Sequence, residues 1–182
     1  MAKSYKYVAL LRAVNVGKRQ VKMEDLRKLF ESYGFTDVST YIQTGNVIFT
    51  AKQADSDKLA RELEKKLSRS LGFEVAVFVL SRKQLQSAAT TNPFEPERLD
   101  SKQRCHLLFL DRAPGADQRK AVMELQGKEY RFAVKGKVMY YAYDRQFDGN
   151  RRRNLDLEGA LGATGTARTW KVVDKLIELA KD

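Results

Sequence analysis

The sequence predicts an α+β protein built from two tandem halves, each with an antiparallel sheet that carries helices on one face. Hydrophobic periodicity gives the order β-α-β-β-α-β over residues 5–80, and most of that order returns after a proline-containing stretch. No window of the 182-residue chain approaches the ~20 uncharged apolar residues of a membrane-spanning helix. The first residues are interpreted as a strand and not as a signal peptide, and the single cysteine excludes an internal disulfide. We therefore expect a cytoplasmic protein.

The first half is predicted from residue periodicity and from turn residues. Alternating apolar residues indicate strands, and an i, i+3, i+4, i+7 pattern indicates helices. A tight hairpin is expected at Thr44-Gly45-Asn46, because Gly45 and Asn46 tolerate the positive φ of two-residue loops. The predicted strands are 5–12, 38–43, 47–50 and 75–80, and the predicted helices are 23–33 and 56–71.

The second half repeats this order without its last strand. A capping box, Ser81-x-x-Gln84, opens a short helix, and prolines mark residues 90–100 as a linker. The elements predicted after it are strands at 105–110, 130–134 and 138–143 and helices at 116–126 and 169–180. We thus expect a first half at 1–80, a capped helix and linker at 81–103, and a second half at 104–182. With right-handed crossovers both halves are ferredoxin-like, of split βαβ type, with strand order 4-1-3-2 in the complete half.

Polar residues cluster after the first strand and in the first hairpin. Strands one and two run parallel in this arrangement, so both segments are expected at the same edge of the sheet. The candidate ligand-binding residues at that edge are Arg12, Asn15, Lys18, Tyr41, Gln43 and Asn46. The helix that starts near Met23 would point its positive end there, which suits an anionic or phosphate-bearing ligand. The alternative is that these side chains cap turns or hold the two halves together.

The sequence contains no recognisable catalytic or metal-binding motif. His106 adjoins Cys105 in a predicted strand, so their side chains point to opposite faces and do not form a nucleophile–base pair. Glu24 and Asp25 occupy the first turn of a helix, where carboxylates offset the free N–H groups. P-loop, dinucleotide-binding and zinc-protease motifs are all missing. We therefore predict neither a metal site nor a cofactor.

The charge is strongly basic and spread over the chain. The formal net charge is +11, and the one local run is Arg151-Arg152-Arg153. Such a balance raises affinity for anions and nucleic acid without specifying either. A second polar edge, with Lys135 and Lys137 on a hairpin, is interpreted as a solvated turn.

Three stretches carry a resemblance to a known family. The segments LLRAVNVG (10–17), YIQTGNV (41–47) and TARTW (166–170) resemble the motifs LLRGINVGG, YIQSGNV and TTRNW of a widespread bacterial family known as a domain of unknown function. The resemblance implies two tandem ferredoxin-like halves and adds Thr166 and Arg168 to the candidate ligand-binding residues. It implies no activity. Ala13 and Lys18 depart from the family pattern, because members usually have glycine at both positions.

Three functional hypotheses follow. The leading one is a binding protein whose polar edge holds a small anionic ligand, or more weakly a nucleic acid. The second is an enzyme of unassigned reaction that uses Arg12, Tyr41 and Arg168 for electrostatic stabilisation. The third is a module that oligomerises through the apolar face of its sheet.

Overall fold

The computed structural model describes residues 4–17, 19–96, 99, 102–144 and 155–181. The chain divides into two compact units, one comprising Met1–Gln86 and Lys175–Asp182 and the other Ser87–Asp174. In the described part of the chain, no helix has the length and apolar composition needed to cross a membrane.

The first sheet has the predicted ferredoxin-like order. Its strands are arranged β2-β3-β1-β4 and every neighbouring pair is antiparallel. The first seven elements are β1 (Tyr5–Leu11), α1 (Met23–Ser32), β2 (Thr36–Tyr41), β3 (Asn46–Ala51), α2 (Ser56–Leu71), β4 (Val77–Ser81) and α3 (Arg82–Thr90). The predicted strand order 4-1-3-2 is therefore confirmed.

Local sequence signals place the helices of this unit. Helix α2 begins after Asp55, whose carboxylate accepts hydrogen bonds from Asp57 N and Lys58 N, both at 3.0 Å. It ends at Gly72, which adopts the left-handed conformation at φ 75°. The stripe of Leu59, Leu63 and Leu67 is buried against the sheet. The bounds predicted for this helix are those observed.

Both faces of the first sheet are buried. On the helix face an aromatic cluster forms around Phe49, whose ring centroid lies 4.8 Å from Phe35 and 5.2 Å from Phe30. On the other face Val8 and Leu10 have no exposed surface.

The second sheet also has four strands, so the prediction that the second half lacks its last strand is wrong. The sheet is arranged β6-β7-β5-β8, again with antiparallel neighbours. Its elements are β5 (Gln103–Leu110), α4 (Ala116–Glu124), β6 (Tyr130–Lys135), β7 (Val138–Asp144), α5 (Leu157–Leu161), β8 (Gly165–Thr169) and α6 (Trp170–Leu179). Strand β8 was missed because its sequence, GTART, contains no strong strand former apart from threonine.

Matching hydrogen bonds show the internal duplication residue by residue. Leu11 N donates to Gly45 O at 2.8 Å, and Leu110 N donates to Lys137 O at 2.9 Å. The following residue repeats the correspondence, since Arg12 N donates to Ala76 O and Asp111 N donates to Thr164 O. The two halves therefore have matching backbone hydrogen bonds after their first strands, although Arg12 in one half corresponds to Asp111 in the other.

Candidate functional site

The loop after β1 and the hairpin after β2 lie side by side in the first unit. The side chain of Asn15 joins them, because its Nδ2 donates to Gln43 O at 3.0 Å. Its Oδ1 accepts a hydrogen bond from Val21 N at 2.6 Å. The prediction that the loop after the first strand and the first hairpin meet at one edge of the sheet is therefore confirmed.

The close approach of these segments depends on Gly45. Its φ is +73°, in the left-handed region that favours glycine. A Cβ atom at this position would clash with Val14 Cγ2 and lie 2.9 Å from Leu11 Cβ. Glycine is thus required both by the backbone conformation and by the packing of the hairpin on β1.

Three residues other than glycine also have positive φ at this edge. They are Ala13 at 55°, Asn15 at 60° and Ile42 at 47°. Such conformations cost about 1–3 kcal/mol each and tend to cluster at functional sites, where the surrounding structure holds them. The concentration of strain here marks the edge as a candidate site.

A cavity of about 600 Å³ opens beside the two loops. We call it the loop-edge cavity. Its lining residues are Asn15, Gln20, Val21, Lys22, Asp25, Gln43, Leu71 and Phe73. The volume falls within the range of small-molecule sites, and the lining combines an apolar wall with convergent amides and charges.

The charges around the loop-edge cavity come from the start of α1 and from the preceding loop. Lys22 is the N-cap residue of α1 and its side chain makes no capping hydrogen bond. The Arg19 guanidinium lies 5.3 Å from the centroid of the Phe73 ring, which forms part of the wall. Asp25 contributes a single carboxylate in the first turn of the helix. The cavity therefore offers cations together with one acceptor for a hydroxyl or amino group.

The predicted candidates of the first half separate into two groups. Asn15 and Gln43 line the loop-edge cavity, whereas Arg12 and Tyr41 are half-buried and do not. Lys18 lies outside the described residues.

Asn46 is not presented to solvent, contrary to the prediction. It is fully buried, and its Nδ2 donates to Tyr41 O at 3.0 Å and to Thr44 Oγ1 at 2.9 Å. The hairpin loop spans residues 42–45, between Tyr41 and its strand partner Asn46, and is therefore four residues long instead of two. Asn46 stabilises this loop from within.

Thr166 and Arg168 belong to β8 in the second unit. Arg168 is buried, and its Nη1 donates to Thr166 Oγ1 and to Ala167 O, both at 2.9 Å. Burial lowers the pKa of the Arg168 guanidinium to about 10. Neither residue lines the loop-edge cavity, whose lining lies wholly in the first unit.

Cys105 and His106 point to opposite faces of β5, as predicted. Cys105 Sγ accepts a hydrogen bond from Asn92 Nδ2 at 3.3 Å, and the His106 ring stacks on Tyr141 at 4.9 Å between centroids. Among the residues that the structure describes, no three His, Cys, Asp or Glu side chains converge as metal ligands. The basic run 151–153 lies outside the described residues.

Sequence reasoning missed part of the lining. Gln20 and Lys22 follow the predicted loop candidates Arg12, Asn15 and Lys18 in the chain. Leu71 ends α2 and Phe73 follows it. No local pattern marks Phe73 as a wall residue, because its place depends on how α2 packs against the sheet. Lys22 had one usable signal, its position immediately before a predicted helix.

Comparisons with known proteins agree with this architecture. The family model described as "Protein of unknown function (DUF1697)" matches residues 5–140. A conserved bacterial protein from Streptococcus pneumoniae has a similar structure, with a TM-score of 0.77 and 22% sequence identity, over 98% of this chain and 100% of that one. No curated protein matches the sequence. The family match covers well over half of the chain, and this protein therefore belongs to that family of proteins of unknown function.

Proposed function

We propose that this chain is a cytoplasmic binding protein whose loop-edge cavity holds a small anionic ligand that also carries hydroxyl or amino groups. The observation that carries the proposal is the pair of hydrogen bonds by which the Asn15 side chain joins the loop after β1 to the hairpin. It fixes two strained loops against each other beside a cavity of about 600 Å³. The fold alone does not require this arrangement, and backbone strain of this kind clusters where it positions a functional site.

The lining supports an anion with additional polar groups. Lys22 and the adjacent Arg19 supply positive charge, and the start of α1 adds the positive end of a helix dipole. Asp25 would repel an anion placed beside it, so a hydroxyl or amino group of the ligand should face its carboxylate. A sugar phosphate has this combination of groups.

The neutral side chains of the cavity are suited to hydrogen bonding. Within the described part of the chain, the side-chain amides of Gln20 and Gln43 have no protein partner. Each amide can donate and accept, which suits recognition of hydroxyl groups. Leu71 and Phe73 exclude water from one side and strengthen these polar interactions.

The proposal is tested by calorimetric titration of the full chain with ribose 5-phosphate and, separately, with inorganic phosphate. Lys22→Gln should weaken binding of ribose 5-phosphate roughly tenfold, because it removes a charge-assisted contact. Lys65→Gln is the matched control, since Lys65 is an exposed lysine of α2 that does not line the cavity. Equal affinities of the two variants, or no binding at millimolar concentration, would reject the proposal.

A further inference from the structure

A second cavity, of about 400 Å³, lies within the second unit. We call it the tryptophan cavity. Its lining residues are Pro96, Leu99, Gln103, Arg104, Cys105, Thr169, Trp170 and Lys171. All of them belong to the unit that spans Ser87–Asp174, so an inference about this cavity does not depend on the function proposed for the first unit.

The sheet register explains why this space exists. Strand β8 pairs with β5 up to Thr169, which lies opposite His106. The chain then turns directly into α6 at Trp170. Among the described residues, the start of β5 from Gln103 to Cys105 therefore has no partner strand on that side. The residues at this unpaired corner of β5 border the cavity.

The lining has an aromatic wall and two cations. The Trp170 indole is half-buried, which leaves part of its surface accessible from the cavity. Arg104 and Lys171 add positive charge, and no carboxylate occurs among the described residues that line the cavity. Gln103 and Thr169 provide neutral hydrogen-bonding groups.

We propose that the tryptophan cavity binds a small planar anion, an aromatic ring that carries a phosphate or carboxylate. The ring would stack on the Trp170 indole, because aromatic pairs gain free energy beyond the burial of their surfaces. The anionic group would lie between Arg104 and Lys171, and the guanidinium suits an oxyanion because it presents several donors in one plane. The volume of about 400 Å³ accommodates one such molecule.

The chain provides two built-in reporters for this site. Trp170 is the only tryptophan and Cys105 the only cysteine of the sequence, and both line the same cavity. Selectively excited tryptophan emission therefore reports on this cavity alone. The rate at which a thiol reagent modifies Cys105 gives a second, independent signal, because an occupied cavity hinders access to the sulfur.

The experiment titrates the full chain with adenosine 5′-monophosphate, with benzoate and with inorganic phosphate, and follows both reporters. At least one of the two aromatic anions should change Trp170 emission saturably and slow the modification of Cys105. The one with the lower midpoint shows whether the site prefers a phosphate or a carboxylate. The double variant Arg104→Gln, Lys171→Gln should raise the midpoint at least about tenfold. The surface variant Lys65→Gln, whose residue lines neither cavity, should leave it unchanged.

Three results would overturn the inference. One is the lack of a saturable signal up to about 10 mM of either aromatic anion, a range that would include even weak specific binding. Another is an equal midpoint with inorganic phosphate, which would exclude any contribution from the ring. The third is an unchanged midpoint in the double variant, whose fold is checked by circular dichroism. Loss of binding in the loop-edge cavity would not affect any of these readouts, so failure of one proposal can be told from failure of the other.

Discussion

The side-chain amide of Asn15 holds the loop after β1 against the first hairpin and against the residue before α1. The Nδ2 donates to the hairpin at Gln43 O, and the Oδ1 accepts from Val21 N just before α1. Asparagine also tolerates the positive φ of this position better than most residues. Because its polar atoms bond to backbone groups, Asn15 positions the two loops, and under the proposed function the ligand contacts would come from Gln43 and Lys22.

Replacing Gly45 with alanine should destabilise the protein more than an ordinary glycine substitution. The added methyl group would meet Leu11 Cβ at 2.9 Å and also the Val14 side chain, and overpacking of this kind costs about 1–3 kcal/mol. Gly72→Ala is the matched control, because Gly72 has a similar φ of 75° but no atom within 4 Å of the added carbon. Urea unfolding should show a larger loss for Gly45→Ala, and equal losses would contradict the packing argument.

Ala13 should respond in the opposite direction when it is replaced by glycine. Alanine at φ 55° is strained by about 1 kcal/mol, and glycine relieves that strain but gains freedom in the unfolded chain. Ala13→Gly should therefore leave the free energy of unfolding unchanged or raise it slightly. Ala60→Gly in the middle of α2 should lower it by about 1 kcal/mol in the same assay. A comparable loss at both positions would show that the backbone at Ala13 is not strained.

At the scale of elements, long periodic segments were predicted well and short polar ones were not. Helix α2 has sixteen residues, a leucine stripe and two caps, so its bounds follow from the sequence. Helix α5 has five residues and strand β8 contains glycine, arginine and two threonines, so neither has a hydrophobic period to detect. Both are stabilised by tertiary contacts, such as the bond from Gly165 N to Glu158 Oε1 at 2.6 Å.

The first hairpin shows a different limit of sequence reasoning. Its glycine was identified as a turn residue, but the loop extends to Ile42, a β-branched residue with φ 47°. Local preferences oppose this conformation, so no propensity rule would place it there. The position of the candidate site could thus be predicted from the strand order. The depth of the cavity and its apolar wall could not, because they depend on the packing of α2.

Tyr140 links β7 to the end of α3, and its removal should weaken that link. Its hydroxyl donates to Ala88 O at 2.8 Å and lies 2.9 Å from Thr91 Oγ1. Tyr140→Phe should lower the free energy of unfolding by about 1–2 kcal/mol at neutral pH, because a buried carbonyl loses its donor. Tyr41→Phe is the control, since in the described part of the chain the Tyr41 hydroxyl makes no hydrogen bond.

The stability of Tyr140→Phe should also depend less on pH than that of the wild-type chain. Burial raises the pKa of Tyr140, so above pH 10 the folded state retains a proton that the unfolded state has lost. The wild-type chain should therefore lose stability as the pH rises through this range, and Tyr140→Phe should show a shallower decline. Tyr7 preserves part of the slope, because burial also raises its pKa. An identical pH dependence in the variant would contradict the assignment.

At the scale of the whole molecule, the division into units passes through two helices. The boundaries after Gln86 and before Lys175 fall inside α3 and α6, so neither unit can unfold without breaking a helix that continues into the other. The sequence predicts a capped short helix and a proline-containing linker at 81–103. We expect one cooperative unfolding transition for the full chain.

Two buried leucines test this cooperativity. Leu26 in the first unit and Leu107 in the second are fully buried, and replacing either with alanine should cost about 2–5 kcal/mol. Each variant should shift the whole transition, as followed both by circular dichroism and by Trp170 fluorescence. Two separate transitions, each moved by only one of the variants, would show that the units unfold independently.

The net charge of +11 is relevant to the weaker prediction that the chain binds nucleic acid. A polynucleotide would be held mainly through its phosphates, and such binding weakens steeply as salt is added. Nucleic-acid binding stays a prediction, and a salt-dependent retention assay distinguishes it from occupation of a defined cavity.

The central claim is that the loop-edge cavity is a ligand site. Nuclear magnetic resonance of the ¹⁵N-labelled chain during titration with ribose 5-phosphate tests it most directly. The account predicts saturable shifts of the backbone amides at residues 19–25, 43–45 and 71–73, with a weaker response in Lys22→Gln. Shifts that are confined to residues elsewhere, or spectra that do not change at millimolar ligand, would contradict it.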